Sequence, residues 1–596
     1  MRRRTVFLVA VLALVLLAAA IAPWTLTGGG VAANVAGYIR EGYGLDLQVR
    51  GRTTLAVLPV PRVKFEDVRL SSADGAVAIE GGTIRGELRL LPLLVGRVEL
   101  SDVALSGSRV TLSGDWTRWL AAASLPRPEL MLRRLVLTGS SLRWPAGSLD
   151  DMNLVVSWAA GPRIDMTGSL SWQRERVELT RATVHPASLN AGHPSAFALA
   201  LAAPSSRISV SGEVVMGSDP QVTGTSRIEI RSAGDFARWS GIELPLASVV
   251  PSVVVQGEFS ADRHRLSWPS VVVTLGTDRL DGTLGLRFHD GRPGLTGTLA
   301  ADRLNLSDVL APLLHARTAG GWNGDAVSLD PVTGGDLDLR LSAAEATVGR
   351  LTLDDMAASI LVRPGRVEAS MSRAGLSEGT LKGRLTLSDD GGTVDVRAHG
   401  GFDRVDLGRL LPSVGSPRWI AGQASGQFTL DGSGSTISDI VRQTSGRATM
   451  TVRRGELVGV GLNDVVKRVE KRPLAASMEW RGGRTPFEVA HVNLLVRGGI
   501  GEITEGSLLA PSLRTTLHGH VSLFDGAVAL RADVDPTPSP STSPLIVFDV
   551  TGGFGDIAIV PEAKPLIERS GAAKPLFGER VAPAPQHPSA PMATAE

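Results

Sequence analysis

The sequence predicts an all-β dominated fold: a repetitive, mostly antiparallel β-sheet with few short helices, preceded by one N-terminal transmembrane helix. Apolar and polar residues alternate with a period of two along most of the chain, as they do in strands that bury one face. The chain has 68 glycines, and clusters such as residues 72–75 and 389–392 supply turns. One uncharged segment near the N-terminus has the composition of a membrane span.

The membrane anchor is predicted from a run that starts at Val6 and ends at Ala22, after three arginines and before Pro23. A helix of this length rises about 25 Å, slightly less than a hydrocarbon core of roughly 30 Å. The alternative is a cleaved signal peptide, because Ala20 and Ala22 form an A-x-A pattern. We favour the uncleaved anchor, and the positive-inside rule then places residues 24–596 outside the cytoplasm.

The strands carry a recurring pattern, apolar-x-apolar-x-x-apolar-x-apolar. Its clearest two copies, residues 98–112 and 130–144, are offset by 32 residues. The two central x positions interrupt strict alternation, so a bulge or tight turn must return the next apolar pair to the buried face. The candidate lining of this face is Val98, Leu100, Val103, Leu105, Val110, Leu112, Leu130, Leu132, Leu135 and Leu137.

Short helices are predicted at residues 31–41, 437–443 and 462–471. A strand followed by a short helix recurs at residues 302–310 and 403–411, with a looser copy at 228–239. We divide the chain into five regions. They are an anchor (1–23), an N-terminal β region (24–145), a repetitive middle sheet (146–429), a C-terminal β region (430–562) and a largely disordered Ala/Pro-rich tail (563–596).

The composition argues against several classes of function. The 61 basic and 60 acidic residues nearly cancel, so a nucleic-acid surface is not expected. The chain has no cysteine, which excludes disulfides and thiolate metal sites. His518 and His520 share one strand face, but no further metal ligands accompany them, and a solvated strand face is the better interpretation. Because no catalytic constellation or cofactor motif is present, we expect neither an enzyme nor a cofactor.

The apolar face of such a sheet must be covered, and the predicted helices are too few and too short to cover all of it. The sheet either packs on itself as a sandwich or solenoid, or curls into a groove whose lining meets lipid. The residue pattern alone favours the self-packed core.

The ordered elements resemble those of the AsmA family of membrane-anchored envelope proteins, which includes AsmA-like and TamB-related members. Near the N-terminus the likeness lies in residues 44–51 and 63–70, and near the C-terminus in residues 445–459, 512–523 and 552–561. Residues 1–120 and 430–562 carry most of it, while the middle matches in style only.

The resemblance implies an elongated, curled sheet with an apolar groove, held by a single-pass anchor in the inner membrane with its bulk in the periplasm. It also implies a part in phospholipid transport toward the outer membrane, and so in outer-membrane homeostasis. The expected partners are the membrane, phospholipid and other envelope proteins. The alternative is a membrane-tethered scaffold that assists the assembly of outer-membrane proteins through its sheet edges. A polysaccharide-active solenoid is less favoured, because no carboxylate cluster is visible.

Overall fold

The computed structural model confirms an all-β dominated chain, with 67% strand and 11% helix. The sheet is curled and mostly antiparallel. The predicted anchor and Leu130 lie outside the residues that the structure describes. Those residues are 29–56, 60–89, 92, 98–114, 132–158, 163–185, 188, 192–217, 219–242, 244–250, 252–289, 292–311, 317–318, 321–471, 481–537, 545–553 and 556–570.

The chain forms two compact units. Unit 1 comprises Met1–Leu310, Asp330–Glu345 and Ser359–Gly365, and unit 2 comprises Ala311–Leu329, Ala346–Ala358 and Arg366–Glu596. The helices are α1 (Gly29–Tyr43), α2 (Ala233–Ser240), α3 (Leu407–Ser413), α4 (Ile437–Arg442), α5 (Leu462–Lys471) and α6 (Ala563–Ser570). The short helices predicted at residues 31–41, 437–443 and 462–471 are confirmed, as are those of the repeats at 228–239 and 403–411, whereas residues 307–310 of the repeat at 302–310 form a turn. α6 forms the start of the range predicted as a largely disordered tail.

The strands follow one another closely along the chain. Those before α2 are β1 (Leu45–Val49), β2 (Thr53–Ala56), β3 (Arg62–Glu66), β4 (Val68–Ser72), β5 (Val77–Glu80), β6 (Thr83–Leu88), β7 (Leu100–Ser106), β8 (Arg109–Leu112), β9 (Arg134–Trp144), β10 (Gly147–Trp158), β11 (Ile164–Trp172), β12 (Glu175–Val184), β13 (Ser195–Ala202), β14 (Ser206–Val215) and β15 (Gln221–Ile230). Those between α2 and α3 are β16 (Val253–Ala261), β17 (Arg265–Leu275), β18 (Asp278–His289), β19 (Arg292–Asn305), β20 (Arg317–Thr318), β21 (Gly321–Trp322), β22 (Asp336–Val348), β23 (Leu351–Arg363), β24 (Arg366–Leu376), β25 (Gly379–Asp389) and β26 (Val394–Asp406). The rest are β27 (Ile420–Gly434), β28 (Ser445–Val460), β29 (Arg481–Arg497), β30 (Ile500–Ala510), β31 (Leu513–Ser522), β32 (Ala527–Pro536), β33 (Ile546–Gly553) and β34 (Asp556–Pro561).

Most neighbours in these ladders are antiparallel. In unit 1, each strand from β9 to β18 pairs antiparallel with the next one. In unit 2, the same holds from β24 to β34. The exception is β9, which pairs parallel with both β7 and β8. Successive side chains point to opposite faces of each strand. Where aliphatic residues alternate with hydroxyl or charged residues, one face of the sheet is therefore aliphatic and the other is polar.

At the N-terminal end of unit 1, α1 covers the apolar face of the first strands. Val35, Tyr38 and Ile39 of the helix pack with Phe65, Leu105 and other strand residues. We call this set the capped cluster: Val35, Tyr38, Ile39, Leu45, Val63, Phe65, Val68, Leu70, Val77, Ile84, Leu88, Leu100, Leu105 and Leu132. The amphipathic helix thus turns one end of the one-sided sheet into an ordinary buried core.

The two tyrosines of the chain attach α1 to both copies of the sequence repeat. The Tyr38 hydroxyl donates to the Leu100 carbonyl oxygen at 3.3 Å. The Leu132 backbone N–H donates to the Tyr43 hydroxyl oxygen at 3.2 Å. Burial raises the pKa of Tyr43 from 10.0 to about 12, and burial raises the pKa of Tyr38 as well. Both phenols therefore stay protonated at neutral pH and serve as hydrogen-bonding groups.

Unit 2 has a covered core of its own near the C-terminus. Val465 and Val469 of α5 and Leu566 of α6 pack with buried strand residues such as Phe487 and Phe548. The entry to α5 is fixed by Thr485, whose hydroxyl donates to the Val460 carbonyl oxygen at 2.6 Å and accepts from the Leu462 N–H at 2.8 Å. The helices α5 and α6 thus complete the buried core at this end of unit 2, and each covers only the strands next to it.

Close approach of strands in unit 1 requires glycine at one point of the sheet. Gly212 of β14 lies opposite Gly224 of β15. A Cβ atom added at Gly212 would lie 2.0 Å from the Thr223 carbonyl oxygen, and one at Gly224 would lie 2.1 Å from the Ser211 carbonyl oxygen. Any side chain would push the two backbones apart, so the glycines permit the close approach of β14 and β15.

Candidate functional site

The two predicted repeat copies lie side by side in the structure. Val103 lies opposite Leu135 and Leu105 opposite Leu137 in the parallel pair of β7 and β9, which reproduces the 32-residue offset of the sequence. The predicted bulge is confirmed: Asp102 pairs with Glu87 and Leu100 with Leu88, so Ser101 is the extra residue. The sequence repeat therefore corresponds to two neighbouring strands that pair in register.

The predicted lining residues differ in their burial. Leu100, Leu105 and Leu132 are 3%, 5% and 9% exposed and belong to the capped cluster. Other members are partly buried and pack against that cluster: Val98, Val103, Leu112 and Leu137. Val110 and Leu135 are partly buried as well. The structure thus brings all the described lining residues to one apolar face, and α1 packs against the cluster that they form or adjoin.

A second stretch of the same unit has an apolar face with a different character. On β13 to β16 the aliphatic side chains of one face are neither buried nor fully exposed. We call this the half-buried face: Phe197, Leu199, Leu201, Ile208, Val210, Val214, Val222, Ile228, Ile230, Val253 and Val255. Partly accessible aliphatic side chains on several consecutive strands form a continuous apolar surface that a hydrocarbon chain can contact.

The opposite face is mainly polar on β14 to β16 and consists of alanine on β13. The Arg227 guanidinium lies 2.7 Å from a Glu229 carboxylate oxygen and donates to the Gln256 side-chain oxygen at 2.6 Å. The Ser211 and Thr225 hydroxyls lie 3.3 Å apart. These exposed groups are satisfied by one another and by water. Water therefore wets one face, and the aliphatic face is the one available to an apolar ligand.

One end of the half-buried face is closed by α2. Ser232 begins this helix by accepting the Asp235 N–H at 3.2 Å, and Gly241 ends it in the left-handed conformation. Trp239 packs on Trp172 in a T-shaped arrangement with ring centroids 5.0 Å apart. Its indole N–H donates to the Trp172 carbonyl oxygen at 3.1 Å. The end of the apolar face is thus rigid and aromatic.

The sequence offered a signal for the half-buried face without singling it out. Charged and aliphatic residues alternate at positions 227–230 of the sequence, and these residues lie in β15. The repeat at residues 98–112 is more obvious in the sequence, so the candidate lining was predicted there, on the strands that α1 covers. Alternation alone gives no measure of whether a helix packs on a given strand.

No catalytic arrangement emerges in the part of the chain that the structure describes. His518 and His520 are both exposed on β31, and His518 lies opposite Arg531. Within those residues no group of three or more His, Cys, Asp or Glu side chains is placed to hold a metal ion. The interpretation of the two histidines as part of a solvated strand face is confirmed by their exposure.

A curled, mostly antiparallel sheet with one wet face and one aliphatic face defines the class of protein: a repetitive β-sheet protein that presents an extended apolar surface. Residues 293–505 match the AsmA family, so this segment of the chain is similar to that family. No curated protein matches the chain.

The matched segment confirms the predicted family but not the predicted distribution of the likeness. It covers much of the middle sheet, where the sequence resembled the family in style only, and it overlaps the C-terminal likeness at residues 430–505. Across the described residues, helices are too short or too polar to cross a membrane.

Proposed function

We propose that this chain is an inner-membrane-anchored periplasmic protein that takes part in phospholipid transport between the inner and outer membranes. Acyl chains would lie on the half-buried face, and head groups would remain at its wet edge. The observation that carries the proposal is the run of partly accessible aliphatic side chains across β13 to β16. The AsmA family match over residues 293–505 supports it, as does the anchor predicted between Val6 and Ala22.

Transport of this kind needs no catalysis, so we propose that the protein is not an enzyme and needs no cofactor. An acyl chain that slides along aliphatic side chains exchanges one apolar contact for another. The free energy of the bound lipid therefore changes little at each step. A continuous surface matters more than any single residue. By supplying phospholipid, such a path would support outer-membrane homeostasis.

Adjacent residues on opposite faces of β14 offer a direct test. A photoreactive benzophenone amino acid is placed at Val210, on the half-buried face, or at Ser211, which points to the polar face. After irradiation of membranes that contain the full chain, mass spectrometry is expected to find phospholipid adducts at position 210 and not at 211. Equal adducts at both positions, or none at either, would overturn the proposal.

The alternative is a membrane-tethered scaffold for outer-membrane protein assembly. It is favoured by Val560 of β34, the last strand, which is 49% exposed, because an exposed strand with apolar side chains can pair with a partner strand. The same photoreactive residue at Val560 tests it. Protein adducts there, together with no lipid adducts at position 210, would favour the scaffold over lipid transport.

A further inference from the structure

Two strand turns and one helix meet at one end of the half-buried face in unit 1. The β11–β12 turn carries Arg174, and the β13–β14 turn carries Ser205. Both turns reach the same edge because consecutive strands alternate in direction. The helix α2 follows β15, whose Ile230 pairs with Ser206. Together these elements line a pocket of about 520 Å³, which we call the rim pocket.

The rim pocket contains buried polar atoms that have no hydrogen-bond partner. Ser205 is only 8% exposed, and its hydroxyl oxygen has no partner. One carboxylate oxygen of Glu175, Oε2, is also buried without a partner. Both residues line the pocket. Because leaving such atoms unpaired is unfavourable, they favour a ligand that brings hydrogen-bond donors.

The rim pocket is lined by two arginines and two carboxylates, which are Arg174, Arg238, Glu175 and Asp235. Arg238 forms an ion pair with Asp235, so these two residues cancel. Arg174 and Glu175 form no ion pair with any residue in the described part of the chain. The pocket therefore offers one available cation and one available carboxylate, which suits a ligand that carries both charges.

The turn that presents Arg174 is strained. Gln173 and Arg174 have φ values of 50° and 68°, and this left-handed region favours glycine or asparagine in a two-residue hairpin turn. Both side chains of this turn are long and polar, and both line the rim pocket.

The rim pocket is continuous with the apolar face. Trp239 lines the pocket and packs in one cluster with Trp172, Val177 and Leu201, and Leu201 belongs to the half-buried face. A ligand in the pocket would therefore have polar partners at the rim and aliphatic partners a few ångströms further along. This order of contacts matches an amphiphile.

We propose that the rim pocket binds the phosphoethanolamine head group of a glycerophospholipid whose acyl chains lie on the half-buried face, an inference that rests on the proposed function. The Arg174 guanidinium donates to the phosphate oxygens. The primary ammonium donates to the Glu175 carboxylate and the Ser205 hydroxyl oxygen. Phosphatidylglycerol has no cation to place against Glu175, and the quaternary ammonium of phosphatidylcholine has no N–H to donate.

The test measures which phospholipid the full chain retains. Detergent-purified protein is incubated with micelles that contain equal amounts of dioleoyl phosphatidylethanolamine, phosphatidylglycerol and phosphatidylcholine, then washed, and its bound lipid is quantified by mass spectrometry. The variants are Glu175→Gln and Arg174→Gln. The matched control is Glu213→Gln, which removes an exposed carboxylate from the polar face of β14.

Wild-type protein and the control are expected to retain phosphatidylethanolamine in preference to the other two lipids. In Glu175→Gln this preference should fall about tenfold, as expected when a hydrogen bond to a charged group is lost, while total bound lipid stays the same. Arg174→Gln, at an exposed turn, should lower the retention of all three lipids, because each carries the phosphate that Arg174 binds, and this holds even if Glu175→Gln does not fold. Equal retention of the three lipids by the wild type, a preference unchanged in Glu175→Gln, or retention unchanged in Arg174→Gln would overturn the head-group assignment. A wild type that retains no phospholipid would instead overturn the proposed function.

Discussion

The capped cluster and the half-buried face belong to the same unit and share the same alternation of apolar and polar residues, yet their aliphatic side chains lie in different environments. In the capped cluster, Phe65, Leu100 and Leu105 are 0%, 3% and 5% exposed. On the half-buried face, Leu199 and Val210 remain partly accessible. Alternation therefore creates an apolar face, and what packs on that face, here the helix α1, decides whether it becomes a core.

The largest expected difference between the two regions is in the stability cost of the same substitution. Leu105→Ala in the capped cluster should lower the free energy of unfolding of its region by about 2–5 kcal/mol, because it leaves a cavity in a packed core. Leu199→Ala on the half-buried face should cost about 1 kcal/mol, because the leucine is only partly removed from water. Urea denaturation followed by tryptophan fluorescence measures both. Equal costs would mean that the half-buried face is packed like a core.

The shape of the half-buried face should depend more on its backbone than on its side chains. Gly224→Ala places a Cβ atom against the Ser211 carbonyl oxygen, and we expect a loss of about 1–3 kcal/mol, the usual cost of overpacking. Gly217→Ala is the matched control, because a Cβ atom at Gly217 meets nothing within 4 Å. Thermal unfolding of the two variants tests this expectation, and similar melting temperatures would contradict it.

The comparison also shows which features the sequence could predict. Alternation and glycine placement predicted the sheet, and the two polar positions of the repeat predicted the bulge at Ser101. The pattern at residues 31–41 predicted α1 but not the strands that it covers, because that choice depends on contacts such as Tyr38 with Leu100, 62 residues apart. For the same reason, the sequence pattern did not predict the rim pocket. Arg174, Ser205 and Trp239 are distant in sequence and meet only through strand register.

The smallest effect concerns the attachment of α1 and appears only at high pH. Tyr38 and Tyr43 both have a pKa above the ordinary 10.0 in the folded chain, about 12 for Tyr43. Below pH 10 both phenols are protonated in the folded and unfolded states, so they add no pH dependence. Between pH 10 and about 12 the unfolded chain loses protons that the folded chain keeps, so stability falls as pH rises.

The double variant Tyr38→Phe/Tyr43→Phe should therefore lose stability less steeply than the wild type over that range, although at neutral pH it gives up two hydrogen bonds worth about 1 kcal/mol each. Lysines and arginines titrate in both proteins, and their contribution cancels in the difference. Because the chain has two tyrosines, tyrosinate absorbance reports on these two groups alone. Ionisation near pH 10 in the folded wild type, as in the denatured chain, would show that α1 does not bury them and that the capped cluster is open to water as the half-buried face is.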